Sequence, residues 1–123
     1  MNRIWIIGIF CLLKTFVFGQ ASNTKTIDVG MGWANNSLNT VVFRKNSLVT
    51  FADTQFIAYY DNERYVVLGK RKLGSNQWQL KRTPYQGNTA DAHNTISLMV
   101  DGAGYLHLSW DHHNNPLRYC KSV

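Results

Sequence analysis

All four histidines of the 123-residue chain fall between His93 and His113. Two polar clusters hold three of them, Asp91-Ala92-His93-Asn94-Thr95 and Asp111-His112-His113-Asn114-Asn115, and His107 lies between the clusters. An imidazole titrates close to neutrality and can take or give a proton, so histidines brought together suit general acid–base work. β-Elimination on a uronic acid is one reaction that needs such groups. A base removes the proton on the carbon beside the carboxylate, a cationic or protonated group steadies the enolate-like charge, and an acid protonates the departing glycosidic oxygen. Two histidines supply two of these roles, with Asn94 hydrogen-bonding the carboxylate. Other readings stay open on residue type alone. Asp111-His112-His113 could hold a metal ion, although adjacent histidines on extended chain point apart. His107 lies mid-strand among Leu106, Leu108 and Trp110 and reads as a hydrogen-bonded core residue, and Asp111 as the cap of its turn.

The elements that must position these groups are strands. No stretch after residue 22 has a helical period, whereas short alternating or β-branched runs recur between turn residues. The expected strands are Thr40–Arg44, Ser47–Phe51, Phe56–Tyr60, Tyr65–Lys70 and Trp78–Thr83, then, after a loop over Pro84–His93, Thr95–Val100, Tyr105–Trp110 and Leu117–Ser122. Asp61-Asn62-Glu63, Gly74-Ser75-Asn76 and Asp101-Gly102-Ala103-Gly104 read as turns, the last a hairpin with no chemistry implied. His93 precedes one strand, and His112 and His113 follow the next. Neighbouring antiparallel strands put the start of one and the end of the other at the same rim, so His93 and the pair are expected near one another.

The pattern also repeats. At an offset of 50 residues, Ser47-Leu48 falls on Ser97-Leu98, Phe56 on Leu106, Ala58 on Leu108, Tyr60-Asp61 on Trp110-Asp111 and Val67 on Leu117. Four short antiparallel strands per unit fit the blades of a β-propeller, with a β-sandwich as the alternative. Residues 22–123 supply about one and three-quarter blades, fewer than a closed propeller needs, which points to the N-terminal part of a longer protein. The open edge of the last strand leaves these residues alone poorly folded and inactive on this reading.

The first 21 residues read as a signal peptide: Arg3 gives a positive start, Ile4–Leu13 is apolar but too short to span a bilayer, and Gly19 and Ala21 are small residues near a cleavage point. The expected location is secreted or periplasmic, with no membrane attachment after cleavage. Cys11 leaves with the signal and Cys120 stays alone, so no intrachain disulfide staples the fold. Removing Arg3 and Lys14 leaves 11 basic residues against 7 acidic ones, a net charge of about +4. That balance suits an anionic partner such as an acidic polysaccharide. Lys70, Arg71, Lys72, Lys81 and Arg82 read as solvated strand faces, which disfavours nucleic acid. Trp33, Tyr59, Tyr60 and Trp110 are candidate surfaces for stacking on sugars.

The run from Asp91 to Ser97, through Asp101-Gly102-Ala103-Gly104-Tyr105-Leu106-His107-Leu108-Ser109-Trp110-Asp111-His112-His113 to Asn115-Pro116-Leu117-Arg118-Tyr119, resembles the BNR-4 repeat family. Gly32-Trp33-Ala34-Asn35-Asn36-Ser37-Leu38-Asn39 and Phe56-Ile57-Ala58-Tyr59-Tyr60-Asp61 look like that family's first blade. The resemblance covers residues 28–123. It implies an all-β, seven-bladed propeller, here partial, of the secreted kind that includes ulvan lyases. By motif match it implies His93 and His113, 20 residues apart, as the catalytic pair, with His112 an alternative for the second. Asn94 and His112 are then implied in substrate binding. The family's lyases also use a tyrosine and an arginine from later blades, which can also supply a structural metal; no cofactor is evident in this segment, and the full-length protein is expected to be a monomer. The implied activity is β-elimination on an ulvan-like polysaccharide. A glycoside hydrolase or a non-catalytic glycan-binding propeller are the alternatives.

Overall fold

A computed structural model describes residues 24–33 and 46–123. The signal segment, the Thr40–Arg44 strand and Ala34–Asn39 lie outside the described residues. The rest is all β, in two antiparallel sheets. The first holds β1 (Leu48–Phe51), β2 (Thr54–Tyr60), β3 (Tyr65–Lys72) and β4 (Gln79–Gln86), in that order. The second holds β5 (Ile96–Val100), β6 (Leu106–Trp110) and β7 (Arg118–Lys121). The sheets meet where Asn46 bridges Ser97 in parallel, with the Leu98 N–H donating to the Asn46 carbonyl at 2.7 Å.

Alternation explains the core. Ala58 and Tyr60 on β2, Val66 on β3, Ile96 and Leu98 on β5, and Leu108 and Trp110 on β6 are buried together between the sheets. Leu98 and Leu108 are Cα partners and almost fully enclosed. Leu108→Ala is expected to cost about 2–5 kcal/mol, the range for emptying a well-packed aliphatic site. Tyr60 is 7% and Trp110 5% exposed, which corrects their reading as sugar-stacking surfaces: both rings are core. Trp33 is 47% exposed and keeps an open face.

Two tight turns share one device. In Asp61–Tyr65 and again in Asp101–Tyr105, the Asp Oδ1 accepts the N–H groups two and four residues on. The residue before the Tyr is left-handed, Arg64 at φ 70° and Gly104 at φ 87°. A short carboxylate that satisfies two turn donors is why Asp begins both.

The 50-residue repeat is visible in space at the ends of the second strands. It is not visible at Leu48 and Leu98, 51% and 1% exposed, because Leu48 pairs with Ile57 and Leu98 with Leu108, one step out of the offset. Ala58 and Leu108 are both buried, as are Tyr60 and Trp110, and Asp61 and Asp111. It breaks at Val67 and Leu117, 7% and 79% exposed. The cause is loop length: residues 61–64 connect β2 to β3, whereas residues 111–117 connect β6 to β7. Three additional residues there carry His113 away from its sheet.

The expected loop over Pro84–His93 is corrected at its start, because β4 runs on to Gln86. Register slips between Tyr65 and Val67, and Pro84 sits in that irregular stretch, where its missing N–H interrupts no ladder. Thr83 Oγ1 repairs the gap, donating to the Val66 carbonyl at 2.8 Å and accepting from the Tyr85 N–H. Of the basic residues, Lys70, Lys72, Lys81 and Arg82 are exposed, whereas Arg71 is half-buried with its guanidinium 5.2 Å over the Trp78 ring.

Candidate active site

β2 and β6 end, and β3, β5 and β7 begin, at one rim, which β4 also reaches at Gln86. The segment 87–95 and the loop 111–117 therefore face each other there. Asp111 fixes their spacing. Its side chain is fully buried, accepting from the Tyr60 hydroxyl at 2.8 Å and from the Asn88 N–H at 2.6 Å, with the Arg118 guanidinium 3.6 Å away. That corrects the turn-cap reading: this carboxylate joins the two sheets instead. Asp111 itself is left-handed at φ 57°, and its loop turns back again at Asn114, φ 54°. Burial and the Asp111 carboxylate together push the Tyr60 phenol far up, so it stays a proton donor. Gly87 is needed where this ring passes, since a Cβ there would lie 2.3 Å from the ring.

Asn94 is the second fixed point, 2% exposed. Its Nδ2 donates to the Asn88 carbonyl at 3.1 Å, and its Oδ1 accepts the His113 N–H at 3.1 Å. Asn115 Nδ2 also reaches Asn94 Oδ1, at 3.4 Å, and donates to the His113 carbonyl at 2.6 Å. The Asn94 amide is thus taken up within the protein, where it ties the 111–117 loop to the start of β5.

Held this way, His93 and His113 come together across Asp91. Their ring centroids are 4.4 Å apart. His93 Nδ1 lies 3.0 Å from Asp91 Oδ1, and His113 Nδ1 lies 2.7 Å from Asp91 Oδ2. The His93 N–H also donates to Asp91 Oδ1 at 2.9 Å, and the Asn94 N–H to the Asp91 carbonyl at 3.2 Å, so the local turn sets His93 over its own carboxylate. The His113 ring first, then the His93 N–H, hold the Asp91 carboxyl down at about 2, so it is ionised beneath both imidazoles. The side chains of His93 and His113 are 53% and 44% exposed, open to a ligand from the rim. Sequence reasoning placed the two histidines but gave Asp91 no role; its position two residues before His93, the spacing of an Asp-initiated turn, was the available signal.

His112 is not part of this group. It is exposed, and its Nε2 lies 3.2 Å from the Arg118 carbonyl. The Asp111-His112-His113 metal option therefore dissolves: Asp111 faces inward, His112 turns to Arg118 and His113 to Asp91. Among the described residues, the His, Cys, Asp and Glu side chains whose ligand atoms converge are Asp91, His93 and His113, all within 4.8 Å of one another.

A second histidine network lies elsewhere on the second sheet. His107 Nε2 is 2.9 Å from Asp101 Oδ2, and its Nδ1 is 2.7 Å from the Tyr119 hydroxyl. His107 is thus hydrogen-bonded on both nitrogens but only half-buried, and the Asp101 hairpin is part of its network. A hollow of about 90 Å³ beside Asn94 is lined by Trp33 and Tyr59 among others, which places an exposed indole close to the rim.

A search of curated proteins finds no match to this chain. A family model described as "BNR repeat-containing family member" matches residues 54–123, a span that contains both sheets from β2 onward and every residue of the Asp91–His93–His113 group. On that match, which takes in more than half of its length, the chain belongs to the BNR repeat-containing family.

Proposed function

We propose that this chain is part of a secreted β-propeller, seven-bladed in the whole protein, that cleaves an acidic, uronate-containing polysaccharide of the ulvan type by β-elimination. The observation that carries the proposal is the pair of exposed imidazoles sharing one ionised carboxylate at a sheet rim. Asp91 orients both rings through their Nδ1 atoms, as the carboxylate orients the imidazole in a Ser-His-Asp triad. One ring acts as base toward the proton beside the uronate carboxylate, and the other acts as acid or as electrostatic support for the developing charge. The propeller reading is supported by the parallel bridge between Asn46, just ahead of β1, and Ser97 on β5, which sets the leading strands of the two sheets side by side. Residues 1–21 serve as the signal peptide, and the basic excess of the mature chain suits an anionic glycan.

Hydrolysis is the weaker reading on a specific ground. Glycosidases commonly need two carboxyl groups facing the scissile bond. Of the rim carboxylates, Asp111 is fully buried, both oxygens of Asp91 are engaged by the histidines, and Asp61 and Glu63 are both paired with Arg82. Mass spectrometry of the oligosaccharides released from ulvan decides between the two. Elimination gives new ends lighter by one water than hydrolysis does, and products carrying that water would overturn the proposal.

A further inference from the structure

The geometry points to a divalent transition-metal site formed by Asp91, His93 and His113, and we propose that it takes a borderline ion of the Zn2+ type. The two imidazole nitrogens and a carboxylate oxygen already lie within 4.8 Å of one another, with the Asp91–His93 and Asp91–His113 approaches at 3.0 and 2.7 Å. Tetrahedral zinc with bonds of about 2.0–2.2 Å spaces its ligand atoms about 3.4 Å apart. The two approaches run to different oxygens of Asp91, so around a single bound oxygen the ligand atoms start within 4.8 Å and settle to about 3.4 Å, an adjustment that side-chain rotation at a half-exposed site supplies. The donor set selects the class of ion: two imidazoles and one carboxylate suit zinc, nickel or cobalt, whereas calcium and magnesium prefer all-oxygen shells.

Backbone contacts hold the two histidines in place. The His93 and His113 N–H groups are anchored on Asp91 Oδ1 and Asn94 Oδ1, so both backbones are fixed before any ion arrives. Three protein ligands leave a fourth position to solvent, the pattern of an open rather than a closed site. An ion seated there occupies the Nδ1 atoms of both imidazoles and the carboxylate that orients them. It therefore withdraws the pair from proton transfer and inhibits the enzyme, a consequence that rests on the proposed function, whereas the binding itself does not.

The test is calorimetric titration of the metal-stripped protein with ZnCl2, with no glycan present. One saturable site is expected, weakened by about tenfold or more in His93→Ala, His113→Ala and Asp91→Asn. His112→Ala should bind as the unaltered protein does, because that ring faces the Arg118 carbonyl. Circular dichroism of each variant keeps a folding defect distinct from a lost ligand, and Asp91→Asn preserves the side-chain shape. No saturable binding, or binding that survives all three ligand substitutions in folded protein, overturns the proposal. Loss of binding in His112→Ala equal to that in His93→Ala overturns the ligand assignment.

Discussion

The Tyr60 hydroxyl donates a 2.8 Å hydrogen bond to Asp111, 51 residues away, and both partners are buried where the two sheets meet. The repeat places these two residues at the same level: Tyr60 ends β2 just as Trp110, beside Asp111, ends β6. Asp111 lies fully out of solvent, so its oxygens depend on protein donors in place of water, and Tyr60 and the Asn88 N–H are the closest.

Tyr60→Phe keeps the ring in the core and deletes only that donor. It is expected to cost about 1.5–3 kcal/mol, the range for a hydrogen bond to a charged group, and chemical denaturation reads it directly. Gly87→Ala should be at least as damaging, because its Cβ would overlap the Tyr60 ring. An unchanged midpoint in Tyr60→Phe would show that Asp111 does not rely on this contact.

Asn94→Ala is expected to act twice. Leaving the Asn88 carbonyl and the His113 N–H without their buried partner costs about 1–3 kcal/mol. Releasing the 111–117 loop also lets His113 drift from Asp91, and a displacement of about 1 Å can lower a rate by about 10²-fold. Turnover at saturating glycan should fall while the protein remains folded at 25 °C. If turnover holds and only KM rises, Asn94 contacts substrate rather than positioning His113.

Acid stability should report on Asp101. The His107 ring, then the Tyr105 N–H, hold its carboxyl at about 2, against an ordinary value near 3.9 in an unfolded chain. Between those values the unfolded chain binds more protons, so this contribution to stability is complete above about pH 4 and disappears as pH falls toward 2. Asp101→Asn should make the loss of stability over that window shallower. An acid limb identical to that of the unaltered protein would remove Asp101 from the account.

Much of this was legible in the residues. Alternating apolar positions located the strands, and the 50-residue offset aligned Ala58 with Leu108 and Tyr60 with Trp110, all four of them core. The shared rim followed from strand direction alone, and it is where His93 meets His113. Long-range polar geometry was not legible. Asp111 looks like any turn-capping aspartate until Tyr60 from the other sheet is seen to reach it, and the aromatic pair Tyr60 and Trp110 look equally suited to a sugar or a core. The irregular register around Pro84 was hidden because a proline reads locally as the end of a strand, while Thr83 bonding back to Val66 lets the chain continue to Gln86. Asp91 went unassigned because its second partner, His113, lies on a loop that is three residues longer than its counterpart in the first sheet.

The most direct measurement of the central claim follows absorbance in the short ultraviolet while the full-length protein digests ulvan, because elimination leaves an unsaturated uronate that absorbs there. The unaltered protein should give a steady rise, and His93→Ala and His113→Ala should each slow it by about 10²–10⁴-fold, the usual worth of a general acid or base. A rise of undiminished rate in either variant would contradict the claim that the two imidazoles over Asp91 carry the chemistry.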